Sequence, residues 1–299
     1  MKMKKTAIMV SLVVVAANAF SGFVAIGSLG NAADTNGYGA VAYSYAIQDK
    51  EISIAQFGAF TNAAGITAGS TNFNDTYWNS GGRTVGTNAP AVYLSWKDAA
   101  QYCNWLTTGN ANLGVYQFDG GGALTNIISR ADILAGVLSG IALSGKVYAL
   151  PTEDEWYKAA YYTTNRTWSL HVNGTGIQPV WGTQANYKSA ISNNGAVATW
   201  DVGAGMVEQN GTYNMAGNVR EWCQDQVDAT NGVTRGGQYN STGGGISSAT
   251  RTLALYTAEN ATIGFRPVEF TFDPKAASVF MVASAWIMLP PRLQPCGVR

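Results

Sequence analysis

Side chains able to hold a cation or move a proton are sparse in this chain, and the densest run of them is Asn214-Met215-Ala216-Gly217-Asn218-Val219-Arg220-Glu221-Trp222-Cys223. Asn214 and Glu221 bring side-chain oxygens, Gly217 lets the backbone turn tightly, and Val219 can direct a carbonyl inward. Hard cations such as Ca²⁺ take several oxygens of this mixed kind at short range. A purely structural reading fits the same spacing: a turn entering a strand, with Trp222 anchoring the core and Glu221 holding a backbone amide. One carboxylate leaves both readings open. Glu153 and Glu155 could be a pair of catalytic acids, but their place at a helix start explains them as capping residues. His171 is the only histidine, so the chain cannot build a multi-histidine metal centre. It falls in a polar loop and is expected to be exposed to solvent. Gly243-Gly244-Gly245 lacks the Lys-Ser/Thr of a phosphate-binding loop. Arg235 and Arg251 are expected to make structural hydrogen bonds or to pair with core acids.

The elements that must position these groups are short. Ser53 is placed to cap a helix on which Phe57 and Phe60 share a face. Ser95, with Asp98 three residues on, opens a second helix whose inner side carries Trp96, Ala99, Ala100, Cys103, Trp105 and Leu106. After a strand at Val147-Tyr148-Ala149-Leu150, Thr152 and Glu155 form a capping box for a helix over 153–161, which turns Trp156, Ala159 and Ala160 inward. Val41 to Ile54 reads as two strand-like pieces, Ile127 to Leu138 as a short helix closed by Gly140, and Ala249 to Tyr256 and Gly264 to Val268 as closing strands. The stretches 62–90 and 171–210 read as Gly/Asn-rich loop, with Trp78, Trp181 and Trp200 as plugs. Of 299 residues, 46% are hydrophobic and only 12% charged, with 35 glycines. That balance suits a loop-rich α+β fold with an aromatic core. Equal numbers of basic and acidic residues, 18 each, give no reason to expect nucleic acid as a partner. Three cysteines are too few for a disulfide-built scaffold.

Residues 1–19 read as a secretory signal: Lys2, Lys4 and Lys5, an apolar stretch, then Ala17-Asn18-Ala19 as a cleavage site. Export to the periplasm, cell surface or medium is therefore expected. At the other end, residues 270–299 read as a linker and tail containing the apolar run Ala276 to Leu289, shorter than the ~20 residues that span a bilayer as a helix. Any membrane contact is expected only through that tail. No internal repeat or boundary divides 20–269, which is read as one domain.

Six blocks follow one another in this interval. They are Lys50-Glu51-Ile52-Ser53 with Ala55-Gln56-Phe57; Val92 to Ala100 with Tyr102-Cys103-Asn104-Trp105-Leu106; Leu150-Pro151-Thr152-Glu153 with Glu155-Trp156; Asn214 to Trp222; Arg235-Gly236-Gly237; and Ile263-Gly264-Phe265-Arg266. Their order resembles that of the formylglycine-generating enzyme (sulfatase-modifying factor) family. The resemblance implies an irregular, loop-rich α+β fold related to C-type lectins, with few short helices and strands and with structural calcium. It places Ca²⁺ on Asn214, Gly217, Val219 and Glu221, and a second Ca²⁺ near Asn186 and Tyr187, with later ligands around Asn194. Arg220 stands where the family commonly has an aromatic residue.

Active members of that family oxidise a sulfatase cysteine to formylglycine with oxygen and a copper ion held by two cysteines. The matching positions here are Ser241 and Ile246, and no cysteine lies between Cys223 and Cys296. Copper(I) selects thiolates, so copper is not expected. Related iron-dependent sulfoxide synthases require three histidines. Cys223 is read as a small buried filler or a disulfide partner of Cys103. The expectation is an exported, calcium-stabilised, monomeric domain that binds a peptide, glycan or another exported protein through the loop 238–249, in which Ser, Thr, Asn and Gly accompany Tyr239. The alternative is an oxidase maturing sulfatases through another cysteine arrangement; a structural envelope component is a third reading.

Overall fold

A computed structural model describes residues 22–66, 86–187 and 199–271. The expected signal segment, the tail beyond Thr271, Trp78 and Asn194 lie outside the described residues, while Phe270 and Thr271, expected to start the linker, complete the final strand. One sheet joins β1 (Phe23–Ile26), β2 (Tyr45–Gln48), β10 (Val268–Thr271) and β5 (Lys146–Ala149) in that order, all antiparallel. A second runs β8 (Thr252–Leu255), β7 (Asn231–Arg235), β6 (Arg220–Gln226) and β9 (Ile263–Gly264), with β6 and β9 parallel. β3 (Tyr116–Phe118) and β4 (Leu124–Ile127) make a separate hairpin. This is the expected loop-rich α+β architecture.

The helices begin where the sequence puts their caps. Ser53, Ser95 and Thr152 each close a reciprocal capping box, with Gln56, Asp98 and Glu155, at the starts of α1 (Ile54–Ala64), α2 (Trp96–Thr108) and α4 (Glu153–Tyr161). Gly65 and Gly109 end α1 and α2 in the left-handed conformation that glycine adopts without a Cβ penalty. The core between helices and sheets is aromatic. Tyr102 meets Phe60 at 5.5 Å, Trp105 at 6.0 Å and Phe265 at 5.3 Å between ring centroids, while Trp156 and Trp222 are fully buried. Such tilted and edge-on pairs contribute about 0.5–1.5 kcal/mol each beyond their buried area.

Three local expectations change. Val41 to Ile54 gives one strand, β2. Beyond it the backbone of Ile52 bonds to Phe265 and Ala91, and Ser53 makes only an isolated bridge to Pro90. The helix expected over 127–138 shortens to α3 (Arg130–Leu134), because Ile127 belongs to β4, Ser129 caps at 130, and Gly136 turns the chain. The final strand breaks at Phe265-Arg266-Pro267, where the carbonyls of Phe265 and Pro267 bond to Ile52 and Gln48. Cys103 and Cys223 are both free and buried, which removes the disulfide alternative.

Candidate functional site

The turn between Met215 and β6 is held in an uncommon backbone conformation. Asn214 and Asn218 both have φ 56°, and Gly217 has φ 88°. Asparagine tolerates the left-handed region better than other side chains, and glycine enters it freely. Gly217 is also required by contact, since a Cβ there would lie 2.2 Å from the carbonyl oxygen of Asn186. The turn is tied down by Gly217 N–H to Gly236 O, Asn218 N–H to Asn186 O, and Tyr239 N–H to Asn218 O. Among the described residues no hydrogen bond is seen to the carbonyls of Gly217 and Val219, although both residues are buried, and Asn214 Oδ1 is turned away from its Nδ2 contact with Glu51. Buried acceptors are ordinarily paired. Acceptor oxygens left without donors match what a hard cation requires.

The fourth expected ligand, Glu221, has other partners as well. Arg266 donates Nε to Oε2 and Nη2 to Oε1, both at 2.7 Å, and the Trp156 indole N–H donates to Oε2 at 2.7 Å. Both Arg266 and Glu221 are fully buried. The remaining guanidinium donors go to the carbonyls of Gln48, Asp49 and Tyr213. Glu221 Oε1 keeps an acceptor position, so the residues fit a calcium ion that shares this carboxylate with Arg266. Among the described residues no group of three His, Cys, Asp or Glu side chains gathers as a metal centre. Amide and carbonyl oxygens would have to supply most of the coordination.

Two further buried acids feel the same guanidinium. Burial pushes the Glu51 carboxyl up to about 8 against the opposing pull of Arg266. Burial likewise raises Glu208 to about 7, while Arg266 and a hydrogen bond from Thr212 Oγ1 oppose the rise. Glu51 accepts from Asn218 Nδ2 at 2.9 Å and from Asn214 Nδ2 at 3.4 Å. Sequence reasoning singled out neither Glu51, Glu208 nor Arg266 for this site. Glu51 and Arg266 stand inside quoted blocks, but only the folded chain brings them to the turn.

Asn186, expected in a second calcium site, adjoins the first. It bridges to Gly217 in parallel fashion, and its side-chain Nδ2 donates to Asn218 Oδ1 at 3.1 Å. The hydroxyl of Tyr187 donates to Pro179 O at 2.7 Å and accepts from Gln178 Nε2 at 2.6 Å.

Ser241 precedes a single 3₁₀ turn, Gly243–Ile246, which ends on Ile246. The Ser241 hydroxyl oxygen accepts from Gln238 N–H at 3.0 Å, whereas Ile246 points into the main core and is fully buried. His171 packs beneath this turn, bonded to the Ile246 backbone, and burial lowers its pKa. Only 5% of it is exposed, so the expected solvent-facing histidine is corrected; the chain from Leu170 is pinned by Ser248 N–H to Leu170 O. Tyr239 does not face outward either, since it is buried with Val92, Val219 and Ala261. Trp181, expected as a plug, is 41% exposed. Together with Leu170, Ile177 and Val180 it forms exposed apolar surface on the segment that carries Gln178, whose amide abuts Gly243. The thiols of Cys103 and Cys223 are fully buried, and burial pushes both well up. Arg235 pairs with Glu153 at 2.7 Å and Arg251 with the same carboxylate at 2.8 Å, as expected of core ion pairs. Glu153 thus does more than cap α4, and Glu155 also binds Arg130 at 2.8 Å.

A family model for the sulfatase-modifying factor enzyme 1-like domain matches residues 21–270. Among solved structures, the chain resembles CarF at 21% identity, covering 84% of this chain and 98% of that one with a TM-score of 0.59. It also resembles Treponema denticola variable protein 1, at 21% identity, 82% and 94% coverage and a TM-score of 0.53. PvdO from Pseudomonas aeruginosa matches at 17% identity, 83% and 92% coverage and a TM-score of 0.51. No curated protein sequence matches significantly.

Proposed function

The chain belongs to the sulfatase-modifying factor (formylglycine-generating enzyme) family, and on that premise we propose that it is an exported, calcium-stabilised binding module and not an oxidase. The observation that carries this reading is the chemistry at the two positions matching the family's copper ligands. Ser241 offers a hydroxyl, and Ile246 offers a branched alkyl group packed into the core. Neither holds copper(I), which selects soft thiolates. The remaining described thiols, Cys103 and Cys223, are kept protonated by burial and are poor candidates for a replacement pair.

Calcium would be held by Asn214 Oδ1, the carbonyls of Gly217 and Val219, and Glu221. When bound, the ion supplies positive charge to oxygens that otherwise lack donors and fixes the turn leading into β6. Asn186 and Tyr187 are proposed to belong to a second ion beside it.

The binding surface is the loop 238–249 with its apolar border. Ile177 is 75% exposed and Val180 57%, on the segment whose Gln178 amide abuts Gly243, in the same loop as the half-buried Ser241. Exposed apolar groups beside polar loop residues suit a polypeptide segment with one or two large side chains. Selection of a random heptapeptide display library on the immobilised full chain tests this. Enriched sequences are expected to carry apolar anchors and to lose binding to Ile177→Asp. Enrichment that survives that change, or no enrichment at all, overturns the surface assignment.

A further inference from the structure

We infer that Glu51 is the positioning residue of the cation site: its side chain accepts from the Asn214 amide NH₂ and thereby leaves Asn214 Oδ1 as the acceptor available to a metal ion. The inference rests on the calcium reading above and extends it to a residue outside the ligand set.

The geometry is specific. Asn214 and Asn218 bracket the turn, share a φ of 56°, and both direct Nδ2 at Glu51, on Oε2 and Oε1 respectively. Both Glu51 oxygens accept from an amide Nδ2, and for Asn214 this contact turns the NH₂ toward Glu51 and the oxygen elsewhere. The Asn218 oxygen is spent on Trp200 N–H at 2.7 Å and Asn186 Nδ2 at 3.1 Å. For the Asn214 oxygen no such hydrogen bond is seen among the described residues. Asn218 is thus oriented by Trp200 and Asn186 as well as by Glu51, whereas for Asn214 the Glu51 contact settles which end of the amide faces the turn.

Glu51 is itself firmly placed. The next residue, Ile52, is fully buried and bonded through its backbone to Phe265 and Ala91. Upstream, the Asp49 carbonyl accepts from Tyr213 N–H and from Arg266 Nη1. Groups that orient ligands from outside the coordination sphere commonly change affinity by about 10- to 100-fold when altered.

The test uses the full chain stripped with EGTA, titrated with Ca²⁺ by calorimetry, with melting temperature as a second readout. Gln at position 51 adds an NH₂ that can face an amide oxygen, so E51Q is expected to weaken Ca²⁺ binding about 10- to 100-fold. In the double variant E51Q/N214D the ligand has two equivalent oxygens and needs no orientation, so binding is expected to return to within a few-fold of wild type. Absence of any Ca²⁺ response in wild type defeats the calcium reading itself. Wild-type binding with unchanged affinity in E51Q overturns the role of Glu51 alone. A folded double variant that fails to regain affinity also overturns it. Failure of both variants to fold assigns Glu51 to core support and likewise ends the proposal.

Discussion

Replacing Arg266 by Met removes the cation that, among the described residues, faces Glu221 directly, and leaves that carboxylate beside an apolar side chain and the buried acids Glu51 and Glu208. Breaking a buried ion pair from one side costs about 3–5 kcal/mol, because the remaining charge is stranded. Arg266 also serves the carbonyls of Gln48, Asp49 and Tyr213, and Met satisfies none of them. The total is therefore expected at the upper end of that range, against about 5–15 kcal/mol for a typical domain. Arg235→Met supplies the comparison. Its partner Glu153 keeps Arg251 in a two-point contact, at 2.8 and 3.0 Å, so the stranded charge is largely covered. A smaller loss, roughly 1–3 kcal/mol, is expected there from the unmade bonds. Arg266→Lys should recover little, since an ammonium cannot reproduce the two-point contact on Glu221. Urea unfolding in EGTA, followed by tryptophan fluorescence, measures all three. A loss below about 1 kcal/mol for R266M, or one no larger than for R235M, would refute the reasoning.

Stability should depend on pH through Glu208. Its folded-state pKa is raised to about 7, so the folded protein keeps this proton at pH values where the unfolded chain has released it. That favours the fold below the ordinary carboxylate range and is lost as pH rises toward 7, a change on the order of 3 kcal/mol if fully expressed. In EGTA, Glu208→Gln should flatten the decline in unfolding free energy between about pH 4.5 and 7; an unaltered slope contradicts the assignment. Gly217→Ala should destabilise by more than the ~1 kcal/mol of an ordinary left-handed glycine replacement, because its Cβ would press on the Asn186 carbonyl at 2.2 Å. A melting temperature equal to wild type would contradict that. Cys103 and Cys223, buried and with raised thiol pKa values, should resist a thiol reagent in native buffer and react in denaturant. Rapid native labelling of either would contradict their placement.

Features encoded locally were legible in the sequence. The caps at Ser53, Ser95 and Thr152 are decided within four residues, and each appears with its reciprocal partner. The block order identified the family, and with it the α+β fold. What could not be read was whatever depends on distant segments meeting. Glu51 and Asn218 are separated by 167 positions, and no periodicity announces that one acid will meet two asparagines. His171 reads as a loop residue among polar neighbours, yet the 3₁₀ turn before Ser247 closes over it. Tyr239 and Trp181 exchanged their expected roles for the same reason. Burial in a loop-rich fold is set by which loop covers which, and the local pattern of polar and apolar residues records that poorly.

A domain with Ser241 and Ile246 at the copper positions is expected to be unable to oxidise a thiol. Purified full chain, loaded with copper and supplied with oxygen and a Cys-x-Pro-x-Arg peptide, should return the peptide at its original mass with its thiol intact. A mass spectrum showing the cysteine converted to formylglycine, lost on serine replacement of Cys103 and Cys223, would contradict it.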